Sequence, residues 1–145
     1  MSLDSFFTAL SSAQSGAQFT SEVQSAAAGI NADLLKVAVE IVLAGDDSAS
    51  VEGEQATALK AGFEFATKVV KMLEKEPGQQ EMLTLYKYFK QARGEKPAEP
   101  SFYQIESKYK YNAWKEISHI SAAKAQASYI KEVAALIEKI GTRSA

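Results

Sequence analysis

Glu81-Met-Leu-Thr-Leu-Tyr86-Lys-Tyr-Phe-Lys90-Gln-Ala92 is the stretch on which the fold turns. Met82, Leu85, Tyr86 and Phe89 recur at steps of three, one and three, the stripe of one helix face rather than the alternation of a strand. The helix predicted here closes near Gly94. Tyr86 and Lys90 stand four residues apart, so they share a face one turn apart. A phenol and an ammonium so placed can hold a phosphate, or the phenol can flank a flat base while the ammonium takes the charge. The same pair also suits a plain helix, with Tyr86 in a core and Lys90 in water.

Upstream, Phe63, Ala66, Val70 and Leu73 mark another helix face, ended by Pro77-Gly78. Downstream, residues 95–104 hold two of the three prolines and read as a connection. A third short helix is expected from about Ser107 to Ser118. In it Lys108-Tyr-Lys110-Tyr111-Asn-Ala-Trp114 alternates lysines with aromatic rings. That alternation suits an anionic, aromatic ligand, and equally a helix that buries Trp114 under lysine stems. Ser121 can N-cap a fourth helix with the face Ala125, Tyr129, Ile130, Val133, Ile137 and Ile140, stopped by Gly141. His119, at the junction before it, is read as a cap for a helix C-terminus. Four such helices imply an all-α bundle.

The first third differs in composition. Residues 1–30 are rich in Ser, Ala and Gln, and only Leu3, Phe6, Phe7 and Leu10 are spaced for a helix. Ser11 to Ala28 is weakly determined. Residues 32–44 read as a helix with Asn31 as N-cap and Gly45 as its stop; a strand over Val37 to Leu43 is the competing reading. Leu34 to Leu43 is too apolar to stay bare. It should dock on the bundle, pair with another chain or lie on a membrane; docking is the favoured expectation. Asp46 to Gly53 reads as a linker, which divides the chain into an extension over 1–53 and a domain over 54–145.

The 145 residues contain no cysteine and a single histidine, His119. Disulfides and thiolate metal sites are excluded, and a His-based zinc site or Ser-His-Asp triad is disfavoured. No Gly-rich phosphate loop, HExxH or GxSxG motif is present. The expectation is therefore no catalytic residue, no metal and no enzyme. No run approaches the roughly 20 apolar residues of a membrane span. The first ten residues lack the basic start of a secretory leader, so a soluble cytoplasmic protein is expected. The net charge of −2 hides an asymmetry. Residues 1–58 hold eight acids and one base, while residues 59–145 hold fifteen bases and ten acids. The basic part is the one that should meet an anion.

Three stretches in this order resemble the acyl-CoA-binding protein family. They are Glu81 to Ala92, Lys108 to Trp114, and Ala125-Gln-Ala-Ser-Tyr129-Ile130. The first is similar to the family's Tyr-x-x-Tyr/Phe-Lys-Gln-Ala signature and the second to its Lys-x-Lys-Trp-x-Ala-Trp signature. The resemblance covers about residues 59–141 and implies a four-helix bundle that binds acyl-CoA esters, such as palmitoyl-CoA, without reacting with them. It implies that Tyr86, Lys90 and Lys110 hold the adenosine 3′-phosphate end. It further implies that Tyr129 contacts the nucleotide, that Lys71 adds a polar contact, and that Met82 and Leu83 line the acyl groove. Tyr111 stands where the family usually has Trp, Glu106 where it often has Lys, and His119 where it usually has Gly. The connection before Lys108 is shorter than usual. Residues 1–58 have no counterpart in the minimal family member.

The function expected is sequestration and intracellular transport of medium- to long-chain acyl-CoA, by a monomer that contacts membranes or acyl-CoA-using enzymes only transiently. Two alternatives remain at this point, a helical protein-interaction domain and a nucleic-acid-binding module using Lys87, Lys90, Arg93 and Lys96. A pI near 5.5 argues against nucleic acid as partner.

Overall fold

A computed structural model describes residues 3–143. Among them are seven α-helices: α1 Asp4–Gln14, α2 Ser21–Ala27, α3 Ala32–Ala44, α4 Gly53–Val69, α5 Gln79–Ala92, α6 Ile105–Glu116 and α7 Ala122–Ile140. A 3₁₀ turn, Val70–Met72, follows α4. The all-α expectation holds, and the four helices read from apolar spacing are α4 to α7.

Local chemistry sets most helix starts. The Asn31 side chain accepts a hydrogen bond from the Leu34 amide (3.0 Å), so the stretch holding Val37 to Leu43 is a capped helix and not a strand. Ser121 accepts from the Lys124 amide at 3.0 Å, as its position predicts. At α5 the cap is Gly78, which has no side chain to offer. Glu81 reaches back instead and accepts from the Gly78 amide at 2.8 Å. That bond, with Lys139 at 2.9 Å, holds the Glu81 carboxyl below the ordinary carboxylate range.

Three features depart from the sequence reading. α4 stops at Val69, so Leu73 lies outside the helix in extended backbone and forms an antiparallel bridge to Thr142. α2 occupies part of the weakly determined stretch after Ser11. His119 caps no helix; its Nε2 lies 3.0 Å from Asp47 Oδ2 in the α3–α4 connection.

α7 is the central helix, packing on α1, α3, α4 and α5, while α6 rests on α5. Leu59, Phe63, Phe65, Val69, Ile130, Val133 and Leu136 are fully buried between them. The first three helices belong to the same core: Phe6, Leu10, Leu35, Val39 and Val42 are equally buried. The Phe6 ring meets Phe65 edge-on at 5.7 Å. Gly62 allows α3 to sit directly on α4, since a Cβ there would lie 2.6 Å from both Leu35 methyl carbons. Polar clips tie α1, α3 and the α3–α4 connection to α7. Lys124 Nζ donates to the carbonyls of Val42, Leu43 and Gly45 (3.0–3.2 Å), satisfying the open end of α3. Ser5 Oγ donates to Ala134 O (2.8 Å), and Ser121 Oγ to Ala49 O (2.6 Å). Leu34 to Leu43 thus docks on the bundle, leaving Lys36 and Glu40 in water and, of its apolar residues, only Val37 and Ile41 substantially exposed, at 44% and 46%.

Candidate functional site

The face of α5 turned away from the first three helices carries the site. Tyr86 is half-buried there, with two ammonium groups about its ring. Lys90 Nζ lies 5.8 Å from the ring centroid, from the next turn of α5, and Lys110 Nζ lies 5.5 Å from it, from α6. Both fall within the range of cation–π attraction. The helix-face argument placed Lys90; only packing of α6 on α5 could place Lys110.

Gln91 fixes that packing. Its Oε1 accepts from Trp114 Nε1 (3.0 Å), and its Nε2 donates to the carbonyls of Ser118 (3.1 Å) and Ile120 (2.7 Å). The donors and the acceptor of that amide are all directed at α6 or at the connection that follows it. Trp114 is buried, as expected, and Tyr111 lies against it at 5.8 Å.

Neither lysine is free. Lys90 pairs with Glu95 at 3.1 Å, which also pairs with Arg93 at 3.5 Å. Lys110 pairs with Glu106 at 3.5 Å, one turn back on α6. An anion binding at Tyr86 meets cations already engaged by exposed carboxylates.

Two open grooves adjoin Tyr86, and Tyr86 with Met82 forms the ridge between them. One, of about 670 Å³, has an apolar floor of Val70, Leu73, Leu85 and Phe89 and is edged by Lys71, Lys75 and Arg143 together with Glu74 and Glu76. Tyr129 also lines it. That residue is 4% exposed, its ring set edge-on to Phe63 at 5.1 Å. Burial pushes its phenol far above the ordinary value of 10, so it remains a neutral donor. The second groove, of about 600 Å³, is lined by Met82, Leu83, Ile105 and Tyr109, with Lys110 and Glu106 at its edge. Both volumes lie within the roughly 300–1,000 Å³ of small-ligand sites.

The structure therefore gathers Tyr86, Lys90 and Lys110 around one ring. It puts Lys71 and Tyr129 on one groove, Leu83 on the other, and Met82 on both. Lys71 sits on the 3₁₀ turn rather than on an α-helix. Sequence reasoning missed Ile105, Tyr109 and Arg143. Ile105 and Tyr109 are an apolar pair at i and i+4, a readable signal hidden by the aromatic-rich segment around them. Arg143 has no local signal at all. Among the described residues no group of three or more His, Cys, Asp or Glu could hold a metal, and no helix is long and apolar enough to cross a membrane.

The chain has relatives among known proteins. The family model "Acyl CoA binding protein" matches residues 60–133, from α4 into α7. The chain is 39% identical over 85 residues to the acyl-CoA-binding protein of Dictyostelium discoideum, covering 57% of this chain and 96% of that protein. It is 35% identical over 86 residues to the acyl-CoA-binding protein of Gossypium hirsutum, covering 58% and 97%. It is 36% identical over 95 residues to acyl-CoA-binding domain-containing protein 6 of Danio rerio, a match that spans 64% of this chain but only 31% of that longer protein. With half of its length matched by the family model and nearly the whole of two small relatives covered, the chain belongs to the acyl-CoA-binding protein family.

Proposed function

We propose that this protein binds medium- to long-chain acyl-CoA esters without reacting with them, and sequesters and carries them. The observation that carries the reading is the Tyr86 ring flanked by two ammonium groups on the ridge between two grooves. An acyl-CoA has clustered phosphates at one end and an alkyl chain at the other, so a binder needs a cationic anchor beside an apolar trough. Residues 54–145 supply both. Tyr86, Lys90 and Lys110 take the 3′-phosphate, each N–H···O⁻ bond being charge-assisted. Tyr129 and Lys71 meet the rest of the nucleotide from the larger groove. The acyl chain lies along Met82 and Leu83 in the smaller one, against Ile105 and Tyr109. The basic balance of residues 59–145 draws the anion in, most strongly at low salt.

Burying one CH₂ contributes about 0.8 kcal/mol, so two carbons change affinity by about tenfold while the groove still has room. Calorimetric titration with CoA, octanoyl-CoA and palmitoyl-CoA tests this. The expected order is palmitoyl, then octanoyl, then free CoA. Lys110→Ala should weaken all three by a similar factor, because it touches the head and not the tail. Equal affinity of the wild type for the three ligands refutes the trough. Absence of any binding or thermal stabilisation refutes the function and leaves a helical interaction module.

A further inference from the structure

We propose that Arg143 is an additional contact to the phosphate-bearing part of the ligand, and that Gln18, from the α1–α2 connection, positions it. This rests on the acyl-CoA reading above and assigns the first helices a part in binding.

Gly141 turns the chain after α7 with a φ of +88°, a conformation that favours glycine. The segment then runs back along residues 71–74. The Glu74 amide donates to Gly141 O (2.9 Å), Leu73 and Thr142 form their bridge, and the Arg143 amide donates to Met72 O (2.7 Å). Arg143 Nη2 donates to Lys71 O (2.8 Å), which fixes one arm of the guanidinium at the edge of the larger groove. The rest of its donor fork has no acceptor among the described residues. Lys71, Lys75 and Arg143 make no ion pair there with a described residue, in contrast to Lys90 and Lys110, which do. The larger groove thus carries three cations against two carboxylates, Glu74 and Glu76, with none of the five held in an ion pair by a described residue. A ligand with phosphates at two places on one nucleotide fits two such sets of cations.

The segment is held from its other side by Gln18, whose Nε2 donates to Thr142 Oγ1 (3.2 Å) and Arg143 O (3.3 Å). Gln18 is itself rigidly placed. Gln24 Nε2 donates to both Gln18 O (3.1 Å) and Phe19 O (3.2 Å). Phe19 has a φ of +77°, the only positive φ outside glycine among the described residues, and its ring is buried. A bulky residue in that conformation persists only where its surroundings over-determine it. The Glu22–Lys68 pair (3.0 Å) ties α2 to α4 beside it.

The test is a calorimetric series with octanoyl-CoA on the full chain, at low and high salt, for wild type, Arg143→Gln, Arg143→Lys, Gln18→Ala and the double variant Gln18→Ala/Arg143→Gln. Arg143→Gln should weaken binding about tenfold at low salt and reduce its salt dependence. Arg143→Lys should keep the salt dependence and lose less. Gln18→Ala should weaken binding a few-fold alone and add nothing to Arg143→Gln, because positioning a missing group has no effect. Unchanged affinity in Arg143→Gln, or a Gln18→Ala loss of equal size in both backgrounds, overturns the proposal while the acyl-CoA reading stands. A wild type that does not bind octanoyl-CoA overturns both.

Discussion

Replacing Glu106 with Gln is expected to tighten the binding of every CoA ester. The Glu106 carboxylate lies 3.5 Å from Lys110 Nζ and is 85% exposed, while the Lys110 side chain is 43% exposed. A phosphate at Tyr86 must displace that pair, and exposed pairs contribute about 0.2–1 kcal/mol. A phosphate on the far side of Lys110 would stand roughly 7 Å from the carboxylate, costing about 0.6 kcal/mol per unit charge in water. Together the two effects come to about 1 kcal/mol, or roughly fivefold in Kd. Titration of wild type and E106Q with CoA and palmitoyl-CoA measures it. The gain should be the same for both ligands, because the head alone is involved. It should also shrink several-fold between about 0.02 and 0.5 M salt as screening grows. Unchanged or weaker binding in E106Q at low salt would mean that Lys110 does not meet the phosphate. A gain for palmitoyl-CoA alone would move Glu106 to the tail.

Tyr129→Phe should keep the edge-on packing against Phe63 and hold or raise the Tm, because the hydroxyl it removes bonds to no described residue. CoA affinity, read by calorimetry, should nevertheless fall about tenfold. Glu132→Gln should raise the Tm at pH 7. Burial, and secondarily Glu81, push the Glu132 carboxyl above its ordinary 4.5 in the folded state. Folding therefore takes up a proton there, so its favourable contribution is complete below 4.5 and disappears as pH rises through the raised value. Melting curves of the two proteins should converge towards about pH 4, and a gap that widens on acidification would contradict the assignment.

The helices that carry large apolar side chains at three- and four-residue steps are legible in the sequence itself: the one bearing Phe63 and Ala66, although the face read on to Leu73 overruns its end at Val69, and those over Met82 to Phe89 and Ala125 to Ile140. α2 is not, because its buried surface is only Val23 and Ala27. It forms because its ends are satisfied by neighbouring side chains. Thr20 accepts from the Val23 amide (3.4 Å), and Gln14 Nε2 donates to Ala27 O (3.2 Å) and Ile30 O (2.8 Å). No helical period encodes a cap supplied from the preceding helix. The candidate site divides in the same way. Tyr86 and Lys90 are neighbours by helix arithmetic, and the Glu106–Lys110 spacing favours a pair. The meeting of α5 with α6 depends on Gln91, which reads in sequence as an ordinary polar residue between Lys90 and Ala92. Arg143 reaches its groove through backbone pairing across some seventy residues, where periodicity has nothing to report.

The shared core of the first three helices bears on how this protein can be dissected. Phe65 meets Phe6, and Gly62 has been left bare so that Leu35 can lie on the α4 backbone. A truncation at residue 53 would retain every proposed acyl-CoA contact except the Gln18 support, yet strip the covering from that side of α4 and α7. The shortened protein would carry a greasy scar with no partner. It would be driven to self-associate, or to recruit hydrophobic tails there that the intact molecule never meets.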